Sequence, residues 1–173
     1  TDWIIEPEVS FAIYGERGMI DQLAWNSGPG HLLIIELKTA FVDVNETLGT
    51  LDRKRRLIRS IAAKRGWQPK HVSMWLIVSD TRTNRRHAME HSTLLRSRFS
   101  LDGRQLRGFL RDPTEATTGL VFWTDSNTGS TGQRGGPHRG SSSADRRAAK
   151  AALSVKATPG PGPRSSRGRD PDA

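Results

Sequence analysis

The 173-residue sequence contains no cysteine. This absence excludes disulfide bonds, thiolate metal sites and a cysteine nucleophile, and it is compatible with the reducing cytoplasm, where we expect the protein to act. No apolar run approaches the roughly 20 residues that a membrane-spanning helix needs, and no signal peptide is visible, so we expect no membrane association. The chain begins at Thr1 rather than at a Met, and we therefore expect it to be a fragment of a longer product.

Motifs of several common enzyme classes are also missing. Gly15 and Gly18 do not form a dinucleotide-binding fingerprint, and no phosphate-binding P-loop is present. The serines of the apolar segments lack the strand–turn–helix elbow of a hydrolase. His87 and His91 have a spacing that binds zinc on one helical face, but no third ligand is apparent and the glutamate between them is misplaced for a zinc protease.

Positive charge is in excess. The chain has 27 Lys and Arg against 18 Asp and Glu, a net charge of +9. Residues 1–124 carry +4 and residues 125–173 carry +5, so the C-terminal part is the more basic per residue. This excess favours a polyanionic partner, chiefly nucleic acid, although it could also serve solubility alone.

The composition divides the chain near residue 125. From 125 to 173 Gly, Ser and Pro dominate, and Leu153 and Val155 are the only large aliphatic residues. Such a segment cannot bury enough apolar surface to offset its ordering entropy, so we predict a disordered basic tail. Residues 1–124 are long enough for one domain with a hydrophobic core.

Hydrophobic periodicity predicts an α/β fold for residues 1–124, with a mixed β-sheet flanked by helices. The returning strand of a central hairpin is apolar on both faces, which indicates cover on both sides. A right-handed crossover should lay the fourth strand parallel to the third. In chain order we predict strands at Trp3 to Tyr14, Met19 to Trp25 and His31 to Lys38, a helix at Asp43 to Arg65 that Asp43 caps and Gly66 ends, a strand at His71 to Asp80, a helix at Thr81 to Phe99 with Asn84 as its cap, a short helix within Gly103 to Arg111, and a last strand at Gly119 to Thr124.

The central hairpin brings charged residues together. If Asn26 and His31 pair across its Gly/Pro loop, Asp21 falls directly opposite Glu36, with Cβ atoms ~5 Å apart. Side chains alternate along a strand, so Lys38 lies on the same face as Glu36. Two carboxylates and one ammonium should therefore converge at the open end of an apolar hairpin.

Two carboxylates opposed in this way are destabilising unless something offsets their repulsion. A magnesium ion between Asp21 and Glu36 would do so, because Mg²⁺ favours one or two carboxylates together with waters and phosphate oxygens. Lys38 could then orient a metal-bound water or stabilise a phosphate oxygen. The alternative is a partly exposed Glu36–Lys38 ion pair with Asp21 solvated.

Asp21, followed after fourteen residues by Glu36-Leu37-Lys38, resembles the motif of the PD-(D/E)XK restriction-endonuclease-like superfamily. The wider run from Glu8-Val9-Ser10-Phe11 to Thr39, with Leu51-Asp52-Arg53-Lys54-Arg55-Arg56 after it, is similar to the C-terminal domain of actinobacterial helix-turn-helix (XRE-type) transcriptional regulators. The resemblance covers about residues 3 to 124. It implies a three-layer restriction-endonuclease-like core, with Mg²⁺ or Mn²⁺ as the cofactor.

The resemblance also assigns roles to residues. It implies Asp21, Glu36 and Lys38 as catalytic residues and Asp21, Glu36 and the Leu37 carbonyl as metal ligands. Ile20 stands where the motif has proline. In the family a helix with a further acidic residue comes before the first strand, and in the regulators a DNA-binding domain precedes it. We expect both to lie upstream of this fragment.

These observations lead to three hypotheses. The first is a metal-dependent nuclease that hydrolyses nucleic-acid phosphodiesters, with DNA as the expected partner. The alternative is a catalytically inactive C-terminal domain of a DNA-binding transcriptional regulator, and a third is a homodimerisation module that uses Gly119 to Thr124 as its interface. Basic residues that could contact phosphates, or simply form solvated helix faces, are Arg17, Arg53, Lys54, Arg56, Arg82, Arg85 and Arg86.

Overall fold

The computed structural model describes residues 2–124, and the predicted tail at 125–173 lies outside the described residues. Its elements are β1 (Ile4–Ile13), β2 (Glu16–Asn26), β3 (His31–Lys38), α1 (Val44–Ala63), β4 (His71–Ser79), α2 (Arg82–Glu90), α3 (Ser92–Arg98), α4 (Leu106–Arg111) and β5 (Thr118–Trp123). One five-stranded sheet has the order β1-β2-β3-β4-β5. The first three strands are antiparallel and the last two run parallel to β3, which confirms the predicted α/β class and mixed sheet.

The ends of α1 follow the predicted signals. The Asp43 carboxylate accepts a hydrogen bond from the Glu46 amide, so it satisfies one of the unpaired N–H groups of the first turn. Gly66 follows the helix with a φ of +72°, a conformation that residues with a side chain rarely adopt. The helix crosses over to β4, which pairs with β3 in parallel as predicted.

The predicted helix at Thr81 to Phe99 is wrong in two respects. The segment is divided into two helices, α2 and α3, at His91, whose dihedral angles (φ −107°, ψ 21°) are not helical. His91 and the two residues after it have weak helix propensity, so little resists a break there. The N-cap is Thr81 rather than Asn84, because the Thr81 hydroxyl accepts the Asn84 N–H at 3.1 Å.

Apolar side chains pack on both faces of the sheet. On one face a large cluster joins β1, β2 and β3 to α1, with contributions from α2 and α3. On the other face a smaller cluster surrounds Trp75 and includes Phe109 of α4. Gly119 of β5 is in close contact with Trp75, since a Cβ at Gly119 would lie 2.3 Å from Trp75 Cε3. No helix among residues 2–124 is long and apolar enough to cross a membrane.

β5 is an edge strand, as the dimerisation hypothesis requires. Leu101 forms an isolated bridge with Gly119, so the outer side of β5 is paired at its beginning. Dimerisation through the rest of this edge stays a prediction, which the mass of the protein by light scattering tests.

The first hairpin extends beyond the part of β2 that pairs with β3. The β2–β3 register begins at Asn26 and His31, as predicted, and stops at Gln22 and Ile35. The β1–β2 pairing continues to Ile13 and Glu16. We call residues 9–20 the hairpin arm; its inner side chains belong to the same cluster as α1. Asp21 therefore lies where β2 separates from β3.

Candidate functional site

Asp21 and Glu36 lie on either side of this separation. The Leu37 amide donates a hydrogen bond of 2.7 Å to Asp21 Oδ2, so the carboxylate takes up a backbone donor just beyond the last β2–β3 pair. Asp21 and Lys38 both act electrostatically on Glu36. Asp21 and Lys38 therefore lie near Glu36, and backbone pairing ends one position before Asp21 and Glu36; that the three residues form a catalytic site stays a prediction.

Glu36 is paired with Lys54 of α1 rather than with Lys38. The Lys54 Nζ atom lies 2.5 Å from Glu36 Oε2, and the two side chains are 7% and 2% exposed. This corrects the predicted Glu36–Lys38 ion pair and the predicted outward position of Lys54. Lys54 follows Leu51 by three residues and precedes Ile58 by four, so helical periodicity places it on the buried side of α1. This spacing is the sequence signal that could have identified Lys54 as a buried residue.

The environment of Glu36 favours its protonated form. Burial raises the pKa of Glu36 to about 7; the neighbouring Lys54 opposes this increase, Asp21 adds to it, and Lys38 opposes it. The second oxygen, Oε1, is buried and has no hydrogen-bond partner among the described residues. One oxygen of the carboxylate is thus held by a lysine, and the other is available to a ligand.

The raised pKa predicts that the free energy of unfolding depends on pH. The folded state raises the pKa of Glu36 from its ordinary value of 4.5 to about 7, so the stability that this group contributes is fully present below pH 4.5 and is lost as the pH rises through about 7. The loss should be about 3 kcal/mol relative to Glu36→Gln, which has no carboxylate to ionise. Urea unfolding of both proteins from pH 5 to pH 8 measures this difference. Parallel stability curves for the two proteins would contradict it.

Lys38 lies at the opening of the site. It is half-buried at the end of β3 and lines a groove of about 250 Å³ together with Thr47 and Thr50 of α1. Thr47, Thr50 and Lys54 follow one another at helical spacings of three and four, so they lie on one side of α1. Asp43 and Glu46 line the same groove, so acidic side chains also face it.

Asn84, which the sequence analysis regarded only as a helix cap, fixes the segment after Lys38. Its side-chain oxygen accepts the Phe41 N–H at 2.9 Å, and its side-chain nitrogen donates to the carbonyls of Thr39 and Ser79 at 2.9 and 2.8 Å. His87 Nδ1 donates to the Phe41 carbonyl at 2.8 Å. These bonds join the end of β3 to β4 and α2, and they limit the positions that Lys38 can adopt. A lone Asn gives no sequence signal for such a role, because its partners are distant in the chain.

The basic residues suggested as phosphate contacts differ in their exposure and in their partners. Several are engaged by neighbouring acids: Arg56 by Glu16, Arg85 by Asp80, and Arg86 by Glu90. Arg17 and Arg82 are exposed, Arg53 is half-buried with its Nε atom unpartnered among residues 2–124, and Lys54 is buried in the site. Contact of the exposed arginines with nucleic acid stays a prediction.

Asp21 and Glu36 are the residues that could hold a divalent cation of the magnesium type. Among residues 2–124, Glu36 Oε1 is buried and has no hydrogen-bond partner, and Asp21, whose Oδ2 accepts the Leu37 N–H, acts electrostatically on Glu36. Within the described part of the chain no group of three or more His, Cys, Asp or Glu side chains is placed to hold a metal. Two carboxylates with waters and substrate oxygens are nevertheless sufficient for Mg²⁺.

Comparisons of the chain with protein-family models, with curated proteins and with solved structures gave no match.

Proposed function

We propose that this chain is a metal-dependent nuclease domain with a three-layer restriction-endonuclease-like core, which hydrolyses phosphodiesters of nucleic acid, DNA in the first instance. The observation that supports the proposal most is the Glu36 carboxylate: it is buried, its Oε1 atom has no partner among residues 2–124, and Asp21 lies beside it. A buried, unsatisfied carboxylate oxygen is costly, and a bound cation would remove that cost.

Each residue has a distinct role in this proposal. Asp21 and Glu36 hold Mg²⁺ or Mn²⁺, with the Leu37 carbonyl as a further ligand. When bound, the metal supplies a Lewis acid and lowers the pKa of a coordinated water. Lys38, at the opening of the groove, stabilises negative charge on a phosphate oxygen. Lys54 donates to Glu36 Oε2 and so directs Oε1 away from α1.

Metal binding tests the proposal directly. We expect Mn²⁺ or Mg²⁺ to bind the protein at pH 8, where Glu36 is ionised, and Glu36→Gln to weaken binding at least about tenfold, a loss of about 1.4 kcal/mol. Isothermal titration calorimetry of both proteins gives the two affinities. Glu115→Gln is the matched control, because Glu115 is an exposed carboxylate in the segment between α4 and β5. Equal affinities for all three proteins would refute the metal site.

The second candidate is a catalytically inactive domain of a DNA-binding transcriptional regulator. The Lys54–Glu36 ion pair favours it, because Lys54 offsets the charge of Glu36 without any metal. In that case the carboxylates stabilise the fold, and DNA binding comes from another part of the protein. If the chain binds no divalent metal and cleaves no nucleic acid, this function is supported over the nuclease.

A further inference from the structure

The tip of the hairpin arm carries an exposed aromatic ring. Tyr14 and Gly15 connect the paired residues Ile13 and Glu16, and both have positive φ angles, +52° and +79°. A two-residue turn with two positive φ angles favours Asn-Gly, and a bulky residue in its first position is disfavoured. Tyr14 is the only tyrosine of the chain and is 86% exposed. The ring is therefore almost absent from the core, so burial of the ring does not offset the unfavourable backbone conformation of Tyr14.

The turn that carries Tyr14 is firmly attached to the domain. Arg56 of α1 donates two hydrogen bonds to the Glu16 carboxylate, at 2.7 and 2.9 Å. Below the turn, the Phe11 ring packs against Gly18 so closely that a Cβ there would lie 2.6 Å from Phe11 Cζ. Contacts within the domain thus support the turn that carries Tyr14, while the ring itself is exposed.

The arm also connects Tyr14 to the candidate site. Glu16 precedes Asp21 by five residues on β2, which is about 17 Å at ~3.4 Å per residue. Arg56, which holds the turn, comes two residues after Lys54 on α1. Arg17 is exposed on the same arm, so a positive charge lies between the ring and Asp21. A nucleic-acid strand bound at Asp21 and Glu36 reaches the ring if it extends about 17 Å beyond the site along the arm.

We propose that Tyr14 stacks on an unpaired base of a single-stranded nucleic-acid segment, and that Arg17 contacts the phosphate beside that base. An exposed aromatic ring binds the face of any base, and a nearby arginine adds attraction to the backbone. The face of a base within a duplex is covered by its neighbours, so the segment must be single-stranded at this point. The inference rests on nucleic acid as the partner of the proposed function, but it does not require cleavage.

Binding of a labelled single strand by variants of Tyr14 tests this. The full 173-residue chain is titrated onto a fluorescein-labelled DNA of about 15 nucleotides, within the site sizes of single-strand binding proteins, with EDTA present, and fluorescence anisotropy is recorded. We expect Tyr14→Asn to weaken binding at least about fivefold and Tyr14→Phe to leave it within about twofold, since Phe keeps the stacking face. Asn suits the turn, so Tyr14→Asn should unfold at the same or a higher temperature than the natural chain.

Two results would overturn the proposal: no binding of the single strand by the natural chain, or equal binding by Tyr14→Asn. The second result would assign the ring to another kind of partner, such as a protein surface. Because EDTA removes divalent metal, these outcomes are independent of the nuclease activity. Asp21→Asn, assayed for cleavage with Mg²⁺, reports separately on the proposed function.

Discussion

Replacing Asp21 by Asn is expected to lower Mg²⁺-dependent cleavage of nucleic acid at least about a hundredfold, the scale of losing one electrostatic contribution to a transition state. The substitution removes the negative charge beside Glu36 but keeps a side-chain oxygen that can accept the Leu37 N–H. The fold should therefore be retained while cation binding is lost. Initial rates on single-stranded and duplex DNA and on RNA, with Mg²⁺ and with Mn²⁺, measure the effect and the substrate preference together.

The cleavage assay includes a control variant and defines the result that would contradict the mechanism. Glu115→Gln should cleave at the natural rate, because Glu115 is exposed and remote in sequence from β2 and β3. Cleavage that is unchanged in Asp21→Asn or in Asp21→Ala would rule out the proposed mechanism. An unfolding midpoint close to that of the natural chain would show that a loss of cleavage comes from lost chemistry rather than lost structure.

The parts of the fold that the sequence predicted correctly depend on local signals. The Gly/Pro loop sets the register of β2 and β3, the Asp43 cap begins α1, and the crossover makes β4 parallel to β3. The break at His91 has only a weak local signal, the low helix propensity of His91 and the two residues after it, and it was not predicted. The role of Asn84 was not predictable either, since two of its three side-chain hydrogen bonds go to residues more than forty positions away in the chain.

The candidate site shows the same division. The hairpin pattern placed Asp21, Glu36 and Lys38 together, because alternation and register are fixed within two strands. The ion-pair partner of Glu36 depends on how α1 is rotated over the sheet, and the pairing of β2 with β3 gives no information about that rotation. Lys54 lies within a run of basic residues, and that run suggested a solvated helix face. Its spacing from the apolar stripe of α1 carried the correct information and should outweigh the charge of its neighbours.

Lys54→Met should destabilise the fold in a way that depends on pH. Met fills a similar volume but removes the ammonium that donates to Glu36 Oε2 at 2.5 Å. At pH 8 Glu36 loses its partner but can take up a proton instead, and because pH 8 is about one unit above the pKa of Glu36, we expect the free energy of unfolding to fall by about 1.4 kcal/mol. Urea unfolding of the variant and of the natural chain, at pH 8 and at pH 5.5, measures the change with Glu36 ionised and with Glu36 protonated; the histidines, which titrate in the same range, are common to both proteins.

The pH dependence separates the loss of charge pairing from the loss of packing. The pKa of Glu36 is about 7 with Lys54 present, and without the lysine it should be higher. Because the folded pKa is raised, stability is retained below the unfolded value of 4.5 and lost as the pH rises through the folded value, so Lys54→Met should be far less destabilising at pH 5.5 than at pH 8. The double variant Lys54→Met with Glu36→Gln should recover most of the loss at pH 8. An equal loss at both pH values would mean that Lys54 contributes only through packing of its aliphatic chain, and Glu36 would then be no candidate for a charged metal ligand.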